Sequence, residues 1–429
     1  MAKKVKEETS ISGASDILKI VSSFDDNSEI LNESKSSVIK EYLGTGSYIL
    51  NAGMSGSIFG GVPSGRVVSF ASEAGVGKTF IAVSVCREAQ KKGWTPIYLD
   101  SENSIDPGFV KRLGCDPSKF IIKQVSTVKE VTTFIINLCK SFEDKGIEFP
   151  KVLLVLDSIG NLTSDKELSD SIEGKSARDM TRAQEVKSMF RVISTPLGKL
   201  SIPIIVNNHV YASISSFFGG VEQASGSGIK FSSSITMMLT AAKLEDKTND
   251  KTASEKKGEF TKNGVLVTAK PIKSRFCIPQ KVKFQIPFFC KPNPYVGLEQ
   301  YMTWDNSKVV RGDMLNEKEY LKLSPGEQLK CIKFEDGDFS CWVLPKDTSR
   351  KMFVGHLHDT VPILEFFTDK VFTQEFLEYL DENVIKPAFQ LPDQSSFEDI
   401  KELEDTMGIQ TRDSENYTCL LYTSDAADE

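Results

Sequence analysis

The segment Ser72-Glu73-Ala74-Gly75-Val76-Gly77-Lys78-Thr79 constrains this chain more than any other. It follows an apolar run, residues 66–71, and precedes residues 80–86, whose apolar positions recur at helical spacing. Strand, glycine loop, lysine, hydroxyl and helix in that order make a phosphate-binding loop. Bare backbone N–H groups and the positive end of a helix suit a phosphate anion. In such a loop Lys78 reaches the β- and γ-phosphates, and Thr79 holds Mg²⁺ through its hydroxyl. One position departs from the usual pattern: Ser72 stands where glycine is customary. A serine fits there if its backbone angle is not left-handed.

The chain has 429 residues, more than one typical domain, and its 40% hydrophobic content supports a large core. It contains no apolar run of about 18 residues, so no membrane span is expected. Residues 1–8 lack an apolar signal region. The eight cysteines (86, 115, 139, 277, 290, 331, 341, 419) contain no Cys-x-x-Cys and read as reduced, packed thiols of a cytoplasmic protein. The net charge of −7 leaves nucleic-acid binding to local basic patches.

From the loop onward, short apolar strands (95–100, 120–122, 151–157, 203–209) alternate with helical spacing, as at 128–142. Continuous apolar strands between helices predict a mostly parallel sheet covered on both faces. Residues 1–35 read as a polar arm carrying a short helix. Residues 243–263 read as a charged loop, with strand-like stretches following at 264–269 and 281–288. Between 371 and 418, twelve acidic residues face three basic ones, which marks an acidic tail. Residues 419–429 back-translate to a transposon end used in sequencing libraries, so fold reasoning leaves them out.

Several side chains in this frame carry chemistry. Asp157 closes an apolar strand, where a carboxylate can hold the Mg²⁺ shell through water. Glu102 follows the strand ending in Tyr98-Leu99-Asp100. It suits either the activation of an attacking water or a helix N-terminus. Residues 174–199 hold Lys175, Arg178, Arg182, Lys187, Arg191 and Lys199. Residues 211–228 are rich in Gly and Ser around Phe217, Phe218, Gly219 and Gly220. These two segments suit either a nucleic-acid contact or a solvated helix face and a long surface loop. Residues 265–284 carry Lys270, Lys273, Arg275, Lys281 and Lys283 with no acidic residue. That fits a finger reaching a phosphate across a subunit interface, or an edge strand protected by charge.

In order and spacing these motifs resemble the RecA-type recombinases, in particular their phage UvsX-like branch. The matching stretches are Thr45-Gly46-Ser47, residues 60–66, Gly77-Lys78-Thr79, residues 98–102, Asp106-Pro107, Leu113-Gly114, residues 157–162, and Asp179-Met180-Thr181-Arg182-Ala183. Lys187 to Arg191, Asn208-His209, Lys273-Ser274-Arg275 and residues 294–298 complete them. Coverage runs over about residues 40–300.

The resemblance implies a RecA-like P-loop ATPase core of α/β class at 41–295. It also implies an N-terminal protomer-docking arm at 1–40, a small C-terminal α/β lobe at 296–405 and a tail at 406–429. It gives Glu102, Lys78, His209, Lys273 and Arg275 catalytic roles. Glu102 would be the catalytic glutamate and His209 the γ-phosphate sensor, while Lys273 and Arg275 would reach the neighbouring subunit's ATP. Gly75, Gly77, Lys78, Thr79, Phe80, Asp106 and Phe109 would bind the nucleotide, the last two at the adenine. Thr79 and Asp157 would hold the metal. Lys175, Arg178, Arg182, Phe217, Phe218, Gly219 and Gly220 fall in the family's two DNA-binding loops.

The implied activity is ATP-dependent filament formation on single-stranded DNA, then pairing and strand exchange with homologous double-stranded DNA. The implied setting is the cytoplasm of a phage-infected or bacterial cell, with a recombination mediator and a single-strand-binding protein as partners. A regulatory protein of the same fold that binds DNA or a recombinase without exchanging strands is the alternative.

Overall fold

A computed structural model of the chain describes residues 14–24, 28–30, 38–173, 181–212, 221–223, 229, 232–243, 264–287, 291–301 and 372–390, with short pieces between 310 and 369. The chain divides into two units, Met1–Phe389 and Gln390–Glu429, and every element below belongs to the first. The elements that frame the sheet are α1 (Ala14–Ser22), β1 (Tyr42–Leu43), α2 (Tyr48–Ser55), β2 (Val62–Pro63), β3 (Val67–Ser72), α3 (Lys78–Lys91), β4 (Thr95–Asp100) and α4 (Pro107–Arg112). They continue as β5 (Ile121–Gln124), α5 (Val128–Asp144), β6 (Val152–Asp157), α6 (Asp165–Ile172), α7 (Thr181–Lys199), β7 (Ile204–Ala212), β8 (Val221–Gln223), β9 (Ile235–Lys243), β10 (Gly264–Ser274) and β11 (Val282–Pro287).

The central sheet runs in the order β11-β10-β9-β3-β7-β6-β4-β5. Along this path from β9 to β5 every pairing is parallel, β8 pairs antiparallel with the end of β7, and β10 and β11 add an antiparallel hairpin at one edge. The expected mostly parallel sheet is therefore present. The central strands β3 and β6 are buried at every position, as strands covered on both faces must be.

Because side chains alternate across a strand, each central strand feeds two cores. Phe70, Tyr98, Leu153, Val155 and Ile205 join one core with α2 and α3. Val67, Leu99, Leu154, Leu156 and Val206 join the other with α5 and α7. α5 packs through Val128, Val131, Ile135 and Cys139 and starts with a full capping box, Thr127 with Glu130.

One feature lies outside the expected plan. Residues 372–389 lie beyond 295, yet Phe372, Phe376, Leu380 and Phe389 sit in the same core as α2 and α3. Asp381 holds them there by accepting from Ser57 Oγ at 2.7 Å and Ile58 N at 2.8 Å. The short helix expected on the N-terminal arm is present as α1, which buries no residue at all. Cys86, Cys115, Cys139 and Cys277 are free and buried. Burial pushes the Cys115 thiol up to about 12 and Cys139 to about 11, which makes both inert as nucleophiles. No described helix is long and apolar enough to cross a membrane.

Candidate active site

The carboxyl ends of β3, β4, β6 and β7 form one polar cluster. Strand parity explains it. Tyr98 and Asp100 share a side of the sheet, as do Val155 and Asp157, and Ile205 and His209. That is the side covered by α3. Register completes the alignment: Asp100 pairs with Asp157, and Ser72 with His209.

The phosphate-binding loop joins β3 to α3. Gly75 has φ 77° and Gly77 has φ 112°, both in the left-handed region that favours glycine. A Cβ on Gly77 would lie 2.4 Å from Ile286 Cδ1, a side-chain end that can shift, so it is the positive φ that favours glycine there. Ser72 is not left-handed, which answers the question its sequence position raises. It is the last residue of β3 and fully buried. Its Oγ donates to Glu73 O at 2.8 Å and accepts from Lys78 Nζ at 3.0 Å. The side chain thus gives the loop lysine an oxygen that glycine cannot supply.

Lys78 is buried, and its ammonium also donates to Ser72 O at 3.1 Å and Glu73 O at 2.9 Å. Burial lowers its pKa below the ordinary lysine value, against the opposing pull of Asp157 and Glu102. A phosphate would give this cation the full negative charge that the loop oxygens do not.

Asp157 is almost wholly buried at the end of β6. Its Oδ2 accepts from Thr79 Oγ1 at 2.7 Å, from Tyr98 OH at 2.5 Å and from Ser104 Oγ at 3.5 Å. Burial, then the Asp157 charge, pushes the Tyr98 hydroxyl well above its ordinary value, so Tyr98 stays a donor. Thr79 spends its proton on Asp157, which leaves its lone pairs for a cation.

Glu102 lies just past β4, its backbone N–H held by Asp100 Oδ1 at 2.9 Å. Its Oε1 accepts from Ser158 Oγ at 2.5 Å and meets His209 Nε2 at 2.7 Å. His209 Nδ1 in turn faces Lys78 Nζ at 3.5 Å. Burial raises the Glu102 pKa. The bonds from Ser158 and His209 and the charges of His209 and Lys78 outweigh that, and the carboxyl ends below its ordinary value. A continuous chain therefore runs from Lys78 through His209 to Glu102 and Ser158.

Phe80 and Phe109 are half-buried against the α3 core. Asp106 caps α4, accepting from Gly108 N at 2.7 Å and Phe109 N at 3.0 Å. Arg182, on the first turn of α7, donates to the carbonyls of Ile159, Gly160 and Leu162. Lys175, Arg178, Phe217, Phe218, Gly219 and Gly220 lie outside the described residues.

Lys273 and Arg275 are not near this cluster. Lys273 pairs with Thr236, which pairs with Ser69, three residues below Ser72. Arg275 lies further along, close enough that its like charge, after burial, lowers the Arg66 pKa.

Tyr98, Ser101 and Ser158 were not singled out from the sequence. The only available signal was parity on β4 and adjacency to Asp157. Ser101 Oγ accepts from Ser158 N at 2.9 Å and donates to Ser158 O at 2.7 Å, which joins the ends of β4 and β6.

The pattern of the RecA N-terminal domain matches residues 14–279. The chain is 27% identical over 345 residues to the recombination and repair protein of Enterobacteria phage T4, covering 79% of this chain and 80% of that protein. It is 29% identical over 280 residues to Protein RecA of Mycoplasma mobile, covering 64% and 76%. With the family pattern spanning well over half of its length, the chain belongs to the RecA family.

Proposed function

We propose that this protein hydrolyses ATP with Mg²⁺ while assembled on single-stranded DNA, and that it pairs that strand with homologous duplex. As a RecA-family recombinase it is a DNA-dependent ATPase. The observation that carries the finer reading is the bonded chain Lys78–His209–Glu102–Ser158 beside the Thr79–Asp157 pair.

Lys78 exchanges its loop oxygens for the terminal phosphates, a charge-assisted bond in place of neutral ones. Thr79 and Asp157 would hold Mg²⁺, which neutralises charge on the β- and γ-phosphate oxygens. Glu102, ionised at neutral pH, orients the attacking water and takes its proton. When Lys78 turns to the phosphate, His209 Nδ1 loses its neighbour and is released to register the γ-phosphate. Phe80 and Phe109 offer apolar surface to the base, and Asp106 an exposed carboxylate.

Assembly has three supports. Lys273 and Arg275 lie away from their own chain's loop, where a second copy's nucleotide can meet them. The outer strand β5 exposes Ile121 and Ile122, at 49% and 48%, along an open sheet edge. On α1, Ile17 and Ile20 are exposed with no core of their own. The DNA-binding segments, including Lys175, Arg178, Phe217, Phe218, Gly219 and Gly220, follow β6 and β7, whose ends also carry Asp157 and His209.

Electron microscopy with single-stranded DNA and a slowly hydrolysed ATP analogue tests this reading. Open helical filaments and DNA-stimulated hydrolysis are expected for the natural chain. Lys78→Ala should lose both, because nucleotide binding stabilises the filament. Closed rings, or unchanged filaments in the Lys78→Ala chain with ATP, would contradict it. Normal DNA binding without joint molecules would favour the regulatory alternative.

A further inference from the structure

Of the three cations assigned to the first DNA-binding loop, Lys175, Arg178 and Arg182, Arg182 alone is among the described residues. Its guanidinium points inward. Nε donates to Leu162 O at 2.6 Å, and Nη2 donates to Ile159 O at 2.9 Å and Gly160 O at 2.7 Å. These carbonyls belong to the 3₁₀ turn Ile159–Asn161 and the residue after it. The end of a short helical turn leaves its carbonyls without intrahelical donors, and a planar fork of N–H groups can gather several at once.

That turn begins where the hydrolytic cluster ends. Ser158, the residue before it, donates to Glu102 Oε1 at 2.5 Å. Gly160 lies under the His209 ring: a Cβ there would stand 3.2 Å from His209 Cδ2 and 3.6 Å from Ser158 Oγ. Both groups that hold Glu102 therefore rest on the backbone that Arg182 clamps. Arg182 itself is the second residue of α7, the helix that follows the DNA-facing segment.

We infer that Arg182 is a positioning residue for ATP hydrolysis: it fixes the turn that aims Ser158 and His209 at Glu102. The inference rests on the roles given above to Glu102 and His209. It assigns Arg182 a task different from a DNA-phosphate contact, which its inward guanidinium does not favour.

The two tasks separate experimentally, because lysine keeps the charge that sets the salt dependence of a phosphate contact but not the fork that the clamp needs. The measurements are DNA-stimulated ATPase and single-stranded DNA affinity against salt, for the natural chain, R182K and R182A. The expected result for R182K is a fall in kcat of about tenfold with KM for ATP within about twofold. Its salt slope should match the natural chain. The acid limb of its pH–rate profile should move upward, because Glu102 loses the bond that holds its pKa down.

Natural kcat in R182K overturns the inference. So does a salt slope reduced by about one in R182A and restored in R182K, the signature of a phosphate contact. If R182A does not fold, R182K alone decides. A Lys78→Ala chain run alongside separates the levels. Hydrolysis surviving in Lys78→Ala removes the site assignment itself, whereas a dead Lys78→Ala with a natural R182K removes only the role of Arg182.

Discussion

The two ends of the central sheet are chemically opposite. At the carboxyl end, Lys78, Thr79, Asp157, Glu102 and His209 bond to one another, and acids outnumber cations. Toward the amino end lie Arg66, Lys273 and Arg275, and burial first, then the like charge of Arg275, depresses the Arg66 pKa. Ser69, level with Lys273, lies about 10 Å below Ser72 at ~3.3 Å per residue. On the function proposed above, one chain supplies the base, the metal carboxylate and one lysine for the nucleotide, while Lys273 and Arg275 stand at the other end of its own sheet. A neighbouring copy would resolve that mismatch and make assembly and hydrolysis one event.

The largest effect that can break this contrast is removal of the remote cations. Lys273→Ala with Arg275→Ala should lower DNA-stimulated kcat by about a thousandfold, the scale of a finger acting across an interface. A loss below about tenfold in steady-state ATPase assays would reduce the pair to edge-strand protection.

A smaller effect sharpens the other end. Ser158→Ala removes the first of the bonds that hold the Glu102 carboxyl below its ordinary value. A base with a depressed pKa keeps its activity as pH falls and loses it only on passing that depressed value. Ser158→Ala should therefore move the acid limb of kcat upward. The same sign holds for stability. The contribution of Glu102 is present above its ordinary pKa and vanishes as pH falls through the lower folded one. An unmoved limb in a pH–rate series would remove Ser158 from the account.

Much of the nucleotide end was legible in the sequence, because its chemistry is local. A strand, two glycines, a lysine and a threonine are contiguous, and Asp157 closes a strand; Glu102, past another strand end, suited a helix N-terminus equally well until the family likeness gave it a role. The parallel sheet was legible too, from uninterrupted apolar strands. His209 was different: by residues alone it merely closes a strand, and only family likeness gave it a role. Ser158 and Tyr98 depend on which strands lie side by side. β4 and β6 are neighbours although more than fifty residues separate them, and nothing in either strand states that order. The helices at 372–389 escaped for the same reason: their apolar faces answer to α2, far away in the chain.

Arg182 shows the converse. Its charge is visible in the sequence, whereas the inward direction of its guanidinium is not.

The most direct measurement of a shared site mixes two inactive chains on saturating single-stranded DNA. One carries Lys78→Ala and keeps Lys273 and Arg275; the other carries Lys273→Ala with Arg275→Ala and keeps its loop. If each nucleotide is finished by a neighbour, an intact loop meets an intact Lys273 and Arg275 in at most about a quarter of the interfaces of an equal mixture, the Lys78→Ala chain entering beside nucleotide-bound neighbours, and ATPase activity rises toward that fraction. No activity above the two separate chains, with co-assembly verified by electron microscopy, would mean that the cations serve their own chain and that the site is not shared.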